Sequence, residues 1–173
     1  MKHPSFFRRI LIAAISGIGL ALGLTFPAKS LSPDEVEKVT LLMVSLAPEL
    51  GPFAWDEEEA DRIFEDDSNW NGEIAAAGFS RQAWKNALDT TFRGYLATIP
   101  TDVFSTRLTE AIKGFDDAPH LSAEQKTELR GLIEEKIAEI QLLRAEGARY
   151  ADLVRPHAAK LETAFDTGFG FNE

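Results

Sequence analysis

Nine acidic residues and a single base, Arg62, lie between positions 56 and 73. Among them Asp67, Asn69 and Asn71 alternate along the chain, Gly72 follows, and Glu73 precedes the apolar Ile74. Side-chain oxygens at every second residue, then a tight turn and a backbone carbonyl, form a donor set suited to a hard cation such as calcium. The same residues also make an Asx-rich loop with an Asn-Gly turn and no ligand. Asp56, Glu57, Glu58, Glu59 and Asp61 crowd the start of the stretch. Concentrated negative charge of this kind speeds association with a basic protein.

Positions 67–74 resemble the first eight of an EF-hand calcium loop. Asp67, Asn69 and Asn71 take the first three side-chain positions, Gly72 the sharp turn, Glu73 the carbonyl position and Ile74 the inward apolar one. The resemblance stops there. The twelfth position is Gly78 instead of a bidentate Glu, and Ala75 to Ala77 carry no side-chain oxygen. An aromatic feature stands at the other end of the chain, where Phe165, Phe169 and Phe171 are separated by glycines. Phe169 and Phe171 could dock into a partner groove.

Other chemistry is sparse. Asp116, Asp117 and His120 could offer N and O ligands to a metal, but they sit in a short segment between two helical patterns, where His120 reads as a solvated loop histidine; His157 follows Pro156 at a helix junction and reads as structural. Nucleophilic catalysis lacks a Gly-flanked serine elbow. Paired carboxylates for glycoside cleavage would need one buried acid, and the acids here fall on polar helix faces. With no cysteine, disulfides, thiolate nucleophiles and zinc-thiolate sites are excluded.

The chain holds 18 Lys and Arg against 28 Asp and Glu. Lys2, Arg8, Arg9 and Lys29 all precede the first acid, so residues 31–173 carry 14 bases, 28 acids and a charge of −14. Such a surface repels phosphate backbones and anionic lipid. The early bases belong to a leader pattern. Lys2, Arg8 and Arg9 form a cationic start, Ile10 to Leu24 is apolar, and Ala28-Lys29-Ser30 offers a cleavage site before Leu31. Residues 1–30 are therefore expected to be a signal peptide, with retention of residues 6–27 as an anchor the alternative. An exported protein, periplasmic or secreted, follows.

The elements that must position these residues are read from apolar spacing, which is helical from Leu31 onward. Ser32, Pro33 and Glu35 open a first helix with a capping box; Val36, Val39, Met43 and Leu46 form its stripe, and Pro48 with Gly51-Pro52 ends it. A short second helix spans about 56–65, and 66–78 reads as a loop. Ser80 caps a third, with Phe79 and Trp84 as a hydrophobic staple and Trp84, Leu88, Phe92, Tyr95 and Ile99 inward. Thr101 caps a fourth, with Phe104, Leu108, Ala111, Ile112 and Phe115 inward.

Ser122 and Gln125 open a long fifth helix over about 123–154, with Leu129, Leu132, Ile133, Ile137, Ile140 and Leu143 inward and Arg130–Glu134 and Glu146–Arg149 at pairing distances on the wet side. Pro156 breaks it, and a last helix runs through Leu161 and Phe165. The segment Leu121-Ser122-Ala123-Glu124-Gln125 resembles the LTxxQ motif of a family of periplasmic helical chaperones, with Ser for Thr. That family's second copy is missing here, and a capping box alone accounts for the five residues.

The sequence thus predicts an all-α, single-domain bundle of five or six helices over residues 31–173. The expected function is non-catalytic: protein–protein interaction through an acidic face, with an unknown and basic partner. A calcium-stabilised domain using 67–74 is the alternative, and a hydrolase with an unrecognised site is the third reading.

Overall fold

A computed structural model describes residues 31–50, 58–116 and 121–165. Helix accounts for 89% of these residues and strand for none, which fixes the all-α class. The elements are α1 (Pro33–Leu50), α2 (Glu59–Trp70), α3 (Glu73–Ala76), α4 (Arg81–Thr98), α5 (Thr101–Asp116), α6 (Ala123–Gly147), α7 (Ala151–Val154) and α8 (Ala158–Phe165). Two 3-10 turns, Ala148–Tyr150 and Arg155–His157, join α6, α7 and α8 into one helical run of 43 residues. Pro156 therefore tightens the helix instead of interrupting it. Its missing N–H falls inside a single 3-10 turn, where the disturbed bonding is local.

Local chemistry sets most boundaries. The Ser32 hydroxyl accepts from the Glu35 amide (3.2 Å), while the Glu35 carboxylate accepts from the Ser32 amide (2.9 Å). Ser122 and Gln125 repeat this reciprocal box at the start of α6. Ser80 caps α4 by accepting from Ala83, and the Phe79 and Trp84 rings meet edge-on at 5.9 Å. Three boundaries depart from the sequence reading. Pro48 lies inside α1, which continues to Leu50. Thr101 is the first residue of α5 instead of its cap, because the Pro100 carbonyl accepts the Phe104 amide. The second helix starts at Glu59 and continues to Trp70, five residues into the expected loop.

Helix α4 is central, packing against α1, α2, the end of α6, α7 and α8. Its stripe of Trp84, Leu88, Phe92, Tyr95 and Ile99 is buried throughout, together with Val36, Val39, Met43 and Leu46 of α1 and Leu161 and Phe165 of α8. Phe165 meets Phe92 edge-on at 5.2 Å and Tyr95 at 5.4 Å, which ties α8 to the core. The crossing of α4 with the end of α6 is closer than side chains allow. A Cβ on Gly147 would stand 2.0 Å from the Arg93 carbonyl oxygen, and one on Gly94 would stand 2.7 Å from a Val154 methyl. Gly147 lets the two backbones touch, and Gly94 makes room for the side chains of Val154 in α7 and Tyr150.

Helices α5 and α6 pack on each other as a hairpin that leaves this core. Phe104 and Leu108 of α5 and Ile140 and Leu143 of α6 belong to the core, whereas Ile133 is buried apart from it. Arg144 pins the root of the hairpin. Its guanidinium donates to the Ile99 carbonyl (2.6 Å) at the end of α4 and to the Thr101 hydroxyl (3.2 Å), and stacks over Phe104. Of the expected α6 stripe, Ile133, Ile140 and Leu143 are buried and Leu129 and Ile137 half-buried. Leu132 is a correction: it is 38% exposed. It precedes Ile133 by one residue, about 100° around the helix, so the two cannot share a face. Glu146 pairs with Arg93 of α4 instead of Arg149, which stacks on Tyr150.

Candidate functional site

The acidic stretch is built by α2, α3 and the turn between them, laid against α1 and α4. Asp67 lies on the inner side of the last turn of α2 and is 1% exposed. Its Oδ1 accepts from the Glu73 amide and its Oδ2 from the Ile74 amide, both at 2.9 Å. One carboxylate thus satisfies two amides at the start of α3, whose single turn has few bonds of its own. The Asp67 carbonyl accepts from Asn71 (3.0 Å) and Gly72 (2.8 Å). Gly72 has φ +65°, a left-handed conformation that closes the turn and is easiest for glycine. Ile74 then enters the core fully buried, as the sequence placed it.

The other candidate cation ligands are spent or turned outward. Asn69 and Asn71 are exposed. The Glu73 carbonyl accepts from Ala77 (2.9 Å), and the Glu73 carboxylate accepts from the Ser45 hydroxyl of α1 (2.9 Å). Among the described residues no three His, Cys, Asp or Glu side chains gather as a metal cluster would require.

The acids proposed to meet a partner divide similarly. Asp56, Glu57, Phe169 and Phe171 lie outside the described residues, as do the leader, Asp117 and His120. Glu58 is exposed. Glu59 is buried under Arg62, whose Nε and Nη2 donate to its two oxygens at 3.0 and 2.5 Å, while Nη1 reaches Asp66 at 3.1 Å. Asp61 is shared by Lys85 (2.8 Å) and Arg81 (3.5 Å) of α4, and Arg81 also pairs with Glu65 and stacks over Phe64. The Lys85 hydrogen bond, with the charges of Lys85 and Arg81, holds the Asp61 carboxyl below its ordinary pKa. Reciprocally, the hydrogen bond to Glu65 and the charges of Glu65 and Asp61 raise that of Arg81. At the root of the hairpin burial works against the charge on Arg93, but Asp89 and Glu146 outweigh it and raise its pKa.

Much of the negative charge of 58–73 is therefore answered from within the protein. Sequence reading missed this because, apart from Arg62, the answering bases Arg81 and Lys85 lie some twenty residues downstream of Asp61. The available signal was the i, i+4 placement of Arg81 and Lys85 on a clearly capped helix, facing the same way as Asp61 and Glu65.

Along α6 the opposite holds. Glu124, Glu128, Leu132, Glu135, Glu139 and Leu142 succeed each other at steps of three or four residues, and all are exposed. Glu124, Glu128 and Glu135 have no ion-pair or hydrogen-bond partner among the described residues, and Glu139 meets only Lys136, one turn away on the same helix (2.7 Å). No protein-family model, curated protein or solved structure matches this chain.

Proposed function

We propose that this chain is an exported, non-catalytic helical protein that works by binding another protein through acidic surface. The observation that carries the reading is the exposure of Glu124, Glu128 and Glu135 on α6, with no base paired to them among the described residues, on a hairpin whose outer half lies outside the main core cluster. Charge displayed on a packed helical frame attracts a basic partner at long range and fixes its orientation without any chemistry at the surface. A charge of −14 over residues 31–173 and a leader-like start support the same reading.

The test is cross-linking in a periplasmic extract, repeated at about 50 mM and about 500 mM salt. The shorter screening length at high salt weakens long-range attraction between exposed charges. The expected result is one or a few basic proteins captured at low salt and lost at high salt. Capture that ignores salt, or no basic protein at either concentration, would remove the acidic surface from the account.

A further inference from the structure

The acidic-surface reading leaves open which surface docks the partner and what that partner looks like. Three exposed patches compete. The α2 acids are answered by Arg62, Arg81 and Lys85. Leu41 and Val44 of α1 are exposed one turn apart, but Glu37 is the one exposed acid beside them without an ion pair among the described residues, Asp34 being paired with Lys38, and a single charge does not select an occupant. The third patch is the outer face of α6, which combines unanswered charge, exposed leucines and length.

At about 100° per residue, Glu124, Glu128, Leu132, Glu135, Glu139 and Leu142 fall within one narrow sector of the helix. The stripe rises about 27 Å from Glu124 to Leu142, five turns of helix. Lys126, Arg130 and Arg144 lie roughly 200–240° around from Glu124, on the far side, while Lys136 at about 120° flanks the stripe and is paired with Glu139. Leu132 is 38% and Leu142 59% exposed, the latter the most exposed large apolar side chain among the described residues. Scattered surface leucines are ordinary. Two in register with four glutamates, on one face of a helix that packs by its other side, make a pattern of contacts at helical spacing.

We propose that this face docks a basic amphipathic helix of a partner protein, which sets leucine-sized side chains beside Leu132 and Leu142 and Lys or Arg opposite the glutamates. The inference rests on the acidic-surface reading and locates it. Charge selects this occupant over a second copy. Two α6 faces laid together, parallel or antiparallel, would set glutamates against glutamates with no base on either stripe. The same charge turns away an anionic membrane. A helix is favoured over an extended segment because the stripe repeats at 3–4 residues along a straight rod, which another helix matches turn for turn.

The experiment uses the full chain and a fluorescent synthetic 18-residue peptide with leucines at 3–4 spacing flanked by lysines, followed by anisotropy at about 150 mM salt. Two paired substitutions probe the face: Leu132→Gln with Leu142→Gln, and Glu128→Lys with Glu135→Lys. A third, Glu58→Lys with Asp66→Lys, probes α2. All lie on exposed or half-exposed side chains, and Gln and Lys keep helix propensity close to that of the residues replaced. Circular dichroism melts confirm that each variant folds.

The expected result is at least tenfold weaker binding for both α6 pairs and less than threefold change for the α2 pair. The leucine pair is decisive because it alters no charge. Binding unchanged by that pair would overturn the proposal, whatever the charge variants do. Loss confined to the α2 variant would overturn it too, while leaving the acidic-surface reading standing. A wild-type chain that ignores the peptide would overturn the proposed partner class; salt-sensitive cross-linking in extract then decides the broader reading separately.

Discussion

Between Glu58 and Glu73 the acids of this protein meet Arg62, Arg81, Lys85, two backbone amides and a serine hydroxyl; along the outer face of α6 Glu124, Glu128 and Glu135 are exposed with no partner among the described residues, and Glu139 meets only Lys136 of its own helix. Both regions are helical and rich in Glu. They differ in whether a second helix is near enough to answer them. Helix α2 lies against α4 and places Asp61 and Glu65 over a base-bearing face. Among the described residues, the outer half of α6 packs on α5 and leaves its acidic face exposed. Local density of charge in a sequence is therefore a poor guide to charge displayed. The acidic run that looked like a surface is largely used in assembling the fold, and the more dilute glutamates of α6 are the ones left exposed.

The most forceful way to break this contrast is to attack the frame on which the first region rests. Trp84 is wholly buried and its indole N–H donates to the Ala60 carbonyl of α2 (3.1 Å), so it joins α2 to α4 by packing and by a hydrogen bond. Trp84→Ala is expected to lose about 3–5 kcal/mol, or roughly 6–20 °C in melting temperature for a domain of this size. Leu132→Ala in the hairpin should stay within about 0.5 kcal/mol of wild type. Equal losses in thermal melts would mean that the outer half of the hairpin shares the core as its root does.

The glycine crossing at the hairpin's root gives the next effect. A Cβ at Gly147 collides with backbone, which cannot rotate away as a side chain can. Gly147→Ala should cost about 3 kcal/mol, the upper end of the overpacking range. Gly131→Ala, at an exposed position of α6 with open space around it, should instead stabilise by about 0.5–1 kcal/mol through helix propensity. Denaturant titrations of both variants measure the two signs.

These substitutions also mark what could be read from the sequence. Helix starts were legible wherever a side chain caps its own backbone, as at Ser32, Ser80 and Ser122, because the pattern closes within three residues. Core stripes were legible in α1 and α4, which are packed along their whole length. Leu132 was misplaced because the outer half of α6 packs along a narrower seam than a core helix does. The run of α2 to Trp70 was missed because Asp67 reaches forward to Glu73 and Ile74, a contact that exists only after the turn at Gly72 has formed. Gly147 gave no signal, since its necessity lies in an Arg93 carbonyl 54 positions away in the chain.

Asp67 sharpens the comparison at the level of one carboxylate. Removing it leaves the Glu73 and Ile74 amides without acceptors, the latter buried, at about 1–3 kcal/mol. Asp67→Ala should therefore melt several degrees lower, and Asp67→Asn, with a single acceptor oxygen, should fall between. The same protein tests the calcium expectation for Asp67, Asn69, Asn71 and Glu73. A carboxylate holding two amides is not free for a cation, so about 10 mM calcium and magnesium at matched ionic strength should raise the melting temperature equally. A calcium-specific rise lost in Asp67→Ala would show that the turn opens to bind metal.

The smallest effect isolates the answered charges themselves. Asp61 is about one-third exposed, and exposed ion pairs contribute about 0.2–1 kcal/mol. Its carboxyl titrates below its ordinary value of 3.8, because Lys85 and Arg81 favour the charged form. A group with a depressed folded pKa adds stability that is complete above its unfolded value and vanishes as the pH falls through the folded one. Wild type should therefore be more stable than Asp61→Asn at neutral pH by no more than about 1 kcal/mol, and the two should converge as the pH drops below 3.8. Lys85→Met should remove most of the difference at neutral pH, since the coupling belongs to the pair. Glu128→Gln on α6 provides the contrast: with no base to answer it, the substitution should leave stability unchanged or slightly raised at neutral pH. If urea titrations across this range gave Glu128→Gln the same acid-sensitive loss as Asp61→Asn, the outer face of α6 would carry answered charge after all, and the distinction between the two regions would fail.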